Sequence, residues 1–167
     1  ALHDLDALNE ENHITETGRR LASIPLDPHL AKILLAGEKT DMLSQLAVIV
    51  AFLSISDPKE RPFDDAKAAD TAHKKYQSDT SDFLSILHLW CAVTEAAEKS
   101  NANLRKFTKS NFLNYRRTRE WRNLAEELMD TLASGTVEPF DSFKVKFDPL
   151  HKALLSGLPR NLAMLDP

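Results

Sequence analysis

Within residues 41–53, apolar side chains recur every three or four positions, at Leu43, Leu46, Ala47, Val50 and Leu53, while Val48, Ile49 and Phe52 widen the stripe. A helix this apolar has almost no face to leave in water, so it belongs in the centre of a bundle, and a mainly all-α fold is expected. The longest apolar run, residues 46–53, is far shorter than the roughly 20 residues a membrane span needs. No membrane partner is expected, and the N-terminal residues do not read as a secretory signal.

The remaining punctuation fits the same class. Asp27-Pro28 is a strong helix start, because the carboxylate accepts from free N–H groups and proline at the first helical position loses no hydrogen bond. That helix should run to about Ala36 and end at Gly37. Further helices are expected at 66–76, 81–99 and 104–109, and a long one at 111–133 before Gly135. Residues 57–62 carry two prolines and four charges and read as a rigid exposed loop. Residues 136–147 are ambiguous, and Asp148-Pro149 repeats the capping signature before a last helix at 150–158. At the start, Leu2, Leu5 and Leu8 give a helical stripe, followed by a polar turn at 9–12. His13, Ile14 and Thr15 could form a short strand, with Thr15 able to cap a helix carrying Arg19 to Ile24. The chain begins without methionine on a short amphipathic stretch and ends soon after another, as a piece of a longer protein would.

With 167 residues and 43% hydrophobic content the chain can bury a real core, which excludes disorder. The single cysteine, Cys91, lies among Leu87, Leu89 and Trp90, where a thiol acts as a small hydrophobe; a reducing cytoplasm fits. Only four glycines occur, at 18, 37, 135 and 157. Neither a phosphate-cradling loop nor a dinucleotide turn can be built from them, so no cofactor site is expected in this chain. Six histidines are scattered, and one cysteine cannot supply a zinc cluster. His73, with Asp70 one turn before it and Asp79 beyond, is the least implausible acid–base group, although a solvated face explains it equally well. Ser54 and Ser81 lack a recognisable partner, and the pairs Asp64-Asp65 and Glu126-Glu127 sit in polar runs. A stand-alone enzyme is disfavoured.

Charge points elsewhere. The whole chain carries -4, yet residues 99–122 hold eight Lys/Arg (99, 105, 106, 109, 116, 117, 119, 122) against one acid, Glu120, a local net charge of +7. Solvated helix charge is the bland explanation, weakened by the one-sided sign. If 111–133 is one helix, Leu113, Trp121, Leu124, Leu128 and Leu132 can pack inward, while Asn111, Arg116, Arg119 and Asn123 fall on other faces. Phe112, Tyr115 and Trp121 read as core aromatics that seat the helix. Guanidinium and amide groups so held suit phosphate and sugar contacts, which carry little sequence information.

Several tracts together carry a resemblance. These are Gly18-Arg19-Arg20-Leu21-Ala22-Ser23-Ile24-Pro25-Leu26-Asp27-Pro28, Asp57-Pro58-Lys59-Glu60-Arg61-Pro62, Ser81-Asp82-Phe83-Leu84 with Leu89-Trp90, Asn111-Phe112-Leu113-Asn114-Tyr115-Arg116, and Arg119-Glu120-Trp121. In order and spacing the chain resembles the helicase-associated region of DEAH-box RNA helicases, nearest the bacterial HrpA type. The resemblance implies the end of a winged-helix module with a short β-hairpin (1–36), a ratchet-like helical bundle (37–160) and the threshold of an OB-fold at 161–167. It implies that the bundle packs beside motor and OB-fold domains and helps enclose single-stranded RNA, or DNA in its place. ATP and Mg would belong to motor domains upstream. Arg61, Lys106, Asn111, Asn114, Arg116 and Arg117 are the expected nucleic-acid contacts, with no catalytic, cofactor or metal residues. Many eukaryotic relatives read Ile-Arg where this chain has Leu124-Ala125, so that arginine's role does not carry over, and Pro159 interrupts a stretch that is normally more helical. The competing reading is a helical scaffold whose basic strip docks an acidic protein.

Overall fold

The computed structural model describes residues 2–133 and 135–159. Among them lie eight α-helices and no sheet: α1 (Glu16–Ser23), α2 (Pro28–Gly37), α3 (Leu43–Ser54), α4 (Ala66–Lys74), α5 (Asp82–Lys99), α6 (Asn101–Ser110), α7 (Tyr115–Ala133) and α8 (Phe147–Gly157), with a 3-10 turn at Ser142–Lys144. Side-chain caps set many of the starts. Thr15, Asp27, Ser81 and Ser100 each accept from a backbone N–H in the first turn of the helix they precede. Ser100 starts α6 earlier than the expected residue 104.

The chain divides into two compact units, residues 1–46 with 146–167, and residues 47–145. In the first, α2 packs along α8. Gly157 permits the close approach: a Cβ there would stand 2.1 Å from the His29 carbonyl oxygen. The His29 Nδ1–H donates to the Gly157 carbonyl at 2.8 Å across the same contact. Ile33, Leu34, Leu150 and Leu154 fill the core of this unit.

In the second unit, the α3 residues Ala47 to Ala51 are all fully buried, as an apolar central helix requires. Trp121 of α7 is fully buried with them. Its indole N–H donates to the Val48 carbonyl at 2.9 Å, and its ring meets Phe52 and Trp90 edge-on, each at 5.1 Å. Such T-shaped pairs match the positive edge of one ring to the negative face of another. Residues 137–145 return against α5, where the His88 Nδ1 pairs with the Ser142 hydroxyl at 2.9 Å and the ring stacks on Phe143. Cys91 donates weakly to the Phe140 carbonyl.

Four expectations need correction. Residues 2–8 form turns, not a helix: Asp6 sits at φ 57°, outside the right-handed region, and the Thr15 N–H and hydroxyl bond back to Ala7 and Asp6 carbonyls. Instead of a β-hairpin there is one antiparallel bridge, Leu8 to Ile14, because the Asn9 carboxamide oxygen takes the N–H groups of Glu11 and His13. Asp148-Pro149 does not open α8, which starts at Phe147 without a side-chain cap. Proline is tolerated there because N–H groups of the first turn lack helical partners anyway. Finally, the buried stripe of α7 is Thr118, Trp121, Ala125, Leu128 and Met129, leaving Leu124 and Leu132 only partly covered. Residues 161–165, read as an OB-fold threshold, lie outside the described residues.

Candidate nucleic-acid interface

The basic tract does not form one helix from residue 111. It is broken at a joint, and the joint organises the site. Asn111 closes α6, Phe112 takes φ 52°, and Asn114 opens α7 by accepting from the Arg117 N–H at 3.0 Å. A bulky residue in the left-handed region persists only when its surroundings fix it. Here they do. The Phe112 carbonyl accepts from the Glu60 N–H at 2.8 Å and the His73 Nε2–H at 3.1 Å, the Asn114 N–H donates to the Pro58 carbonyl at 2.7 Å, and Lys59 and Leu113 form an antiparallel bridge. The proline-rich loop at 57–62 is therefore a strap across the α6–α7 joint, with Pro58 buried in it.

This geometry sorts the expected contacts. Asn111 is only 7% exposed; its amide N–H donates to the Phe107 carbonyl and its oxygen accepts from the Tyr76 hydroxyl. Asn114 is the cap, with its amide turned to the Glu60 carboxylate at 2.9 Å. Both asparagines serve the joint. Arg61 is exposed and forms a two-pronged pair with Asp70, at 2.7 and 2.9 Å. That hydrogen bonding raises the guanidinium pKa and lowers the carboxyl. Asp70 is hydrogen-bonded to Arg61 and His73 to the Phe112 carbonyl, so His73 and Asp70 interact through charge and not through a hydrogen bond. Arg117 is half-buried and reaches the Asp57 carbonyl at 3.4 Å. Arg116 and Lys106 are exposed. Burial pushes the Tyr76 phenol up.

The cluster that sequence reasoning missed lies on the solvent side of the same joint. Arg105 of α6 stacks over the Tyr115 ring with its guanidinium carbon 4.1 Å from the centroid, and that of Arg119 lies 5.8 Å away. With Arg116 they line a groove of about 680 Å³, where Asn123, Leu124, Glu120 and Glu127 also lie. Among the described residues none of these three guanidiniums forms an ion pair. Tyr115 is half-exposed, as is Phe112, so neither is the core residue expected. The available signal was spacing: Tyr115 and Arg119 are one turn apart, and Arg105 belongs to the one-signed run.

The comparisons with known proteins fall on these same elements. Residues 27–127 match the family described as helicase associated domain (HA2), ratchet-like, and residues 1–26 match its winged-helix counterpart. The chain belongs to the HA2 helicase-associated family. Similar proteins include the ATP-dependent RNA helicase HrpA homolog of Haemophilus influenzae, 37% identical over 89% of this chain. Another is the ATP-dependent RNA helicase HrpA of Escherichia coli, 33% identical over 92%. The chain spans 11% and 12% of the length of these two relatives. In this HA2 region the ratchet-like match covers the strap, the joint and the groove-bearing part of α7. No helix among the described residues is long and apolar enough to cross a membrane.

Proposed function

We propose that this HA2 region is an accessory element of an HrpA-type RNA helicase in the cytoplasm, in which the α6–α7 groove contacts single-stranded RNA. The observation that carries the reading is the convergence of the Arg105, Arg116 and Arg119 guanidiniums, none of them in an ion pair among the described residues, along one groove. Unpaired guanidinium forks suit phosphate oxygens, and displaced counterions would supply much of the affinity. ATP and Mg would be held by motor domains of the same polypeptide. The strapped joint gives the region a way to pass motor movement to RNA, because α6 and α7 are fixed to each other at Phe112 rather than hinged.

The test is RNA titration of the full-length polypeptide against an Arg116→Ala, Arg119→Ala double variant at several salt concentrations. The double variant should bind more weakly, and its salt dependence should be shallower by about one unit of slope for each phosphate it no longer neutralises. Equal affinities and slopes would remove this groove from the RNA path. Retained RNA affinity with loss of a protein complex would favour the scaffold reading instead.

A further inference from the structure

Phosphate contacts account for the arginines of the groove but not for the tyrosine at its centre. Tyr115 stands at the first position of α7, held by the Asn114 cap and the strapped joint, yet it is half-exposed. Among the described residues its hydroxyl makes no hydrogen bond, unlike that of Tyr76, which donates to Asn111. The Arg105 guanidinium carbon lies 4.1 Å from its ring centroid, a cation held on the ring face. That same open face is one on which a nucleobase can stack.

We infer that Tyr115 is a nucleobase-stacking platform, with Arg105 as the resident cation that a base of single-stranded nucleic acid displaces from the ring face. The inference rests on the RNA reading above and adds to it a contact with bases. The ring loses little freedom on binding because its helix start is already fixed, so stacking is not offset by ordering of the backbone. Once Arg105 is displaced, its fork is free for a neighbouring phosphate, as Arg116 and Arg119 already are. Stacking on a ring face tolerates any base, which suits a protein that must let a strand move through.

The experiment uses the full-length polypeptide, a single-stranded RNA and the same strand made abasic, with Tyr115→Ala, Tyr115→Phe and Tyr115→Leu variants checked for folding by circular dichroism. Tyr115→Ala should lose roughly five- to one-hundred-fold in affinity for the base-bearing strand, Tyr115→Leu should lose most of that, and Tyr115→Phe should keep it. The salt slope should not change, and all forms should bind the abasic strand alike. A fluorescent base analogue in the strand should be quenched by the parent protein and not by Tyr115→Ala. Equal affinity of parent and Tyr115→Ala, with the Arg116→Ala, Arg119→Ala double variant still impaired, would overturn the stacking site and leave the phosphate groove standing. Equal losses on both strands would make Tyr115 a mere spacer for arginines and overturn it too. No RNA binding by the parent would remove both readings.

Discussion

Trp121 and Tyr115 stand less than two turns apart on α7, and their surroundings divide that helix into two regions. The Trp121 side chain is satisfied inside the fold: the indole N–H has the Val48 carbonyl, and Phe52 and Trp90 present their rings. Around Tyr115 three guanidiniums form no ion pair among the described residues, although Glu120 and Glu127 line the same groove, and the Tyr115 hydroxyl makes no hydrogen bond there. The first region holds the helix in place. The second is left unsatisfied, and an unsatisfied cluster on a firmly held helix is what a binding surface requires. The joint at 111–114 precedes both and fixes where α7 starts, and hence which side chains face outward.

The largest effect should come from the satisfied side. Trp121→Ala removes a fully buried indole and its hydrogen bond to the Val48 carbonyl, so stability should fall by about 3–5 kcal/mol. Chemical denaturation would measure it, and an unchanged midpoint would erase the division drawn along α7. Next comes Asn111→Ala at the joint, which removes the amide bond to the Phe107 carbonyl, though not the backbone N–H of residue 111 that also reaches it, and leaves the Tyr76 hydroxyl without its acceptor; the cost should be about 1–3 kcal/mol. By contrast Arg116→Ala should leave stability within about 0.5 kcal/mol of the parent. If Asn111→Ala were stable and instead impaired RNA binding, that asparagine would belong with the arginines after all.

Those two residues, neighbours in one motif, show what was legible in the sequence and what was not. Local signals worked where the deciding partner is close in the chain: the apolar period of α3, the Asp27 cap, the Ser81 start of α5, the charge of the basic run. They failed where the partner is distant. Nothing in residues 111–114 announces a joint, because the strap that holds it comes from Pro58, Lys59 and Glu60, and His73 comes from α4. Asp27-Pro28 and Asp148-Pro149 make the same point, for Asp27 caps α2 while Asp148 lies inside α8, after Phe147. Of the candidate site, the sign and the segment were readable. Which arginines are engaged elsewhere was not, since Arg61 finds the Asp70 carboxylate and Arg117 the Asp57 backbone carbonyl through folding alone.

A smaller effect concerns a side chain with internal partners outside α7. Burial lowers the His88 pKa, with Asp141 opposing. The fold therefore holds a proton at His88 less readily than the unfolded chain does. This costs stability as pH falls below the ordinary imidazole value of about 6.5 and costs nothing well above it. Melting temperatures followed from about pH 7.5 down to about 5.5 should fall more for the parent than for His88→Gln, which cannot take up a proton. Parallel curves would place His88 with the unsatisfied side chains of the surface.

The smallest effect is expected at the groove itself. Arg105→Ala deletes the guanidinium stacked over Tyr115, and at an exposed site such a contact is worth about 0.5–1 kcal/mol. The side chain also gives up the freedom it would have in solvent, which offsets part of that gain. The midpoint of unfolding should thus move little, and Arg105→Lys, which keeps the charge but loses the plane, should move it no further. This near-silence separates two accounts of the same stack. A stack that exists to secure the α6–α7 joint would show a loss above about 2 kcal/mol in Arg105→Ala, comparable with a buried polar partner. A stack that waits for a ligand is nearly silent in stability, and its removal is felt only in RNA titrations, where Arg105→Lys should fall between parent and Arg105→Ala. A loss in stability of the larger size would move Arg105 and Tyr115 to the Trp121 side of the helix and leave only Arg116 and Arg119 facing RNA.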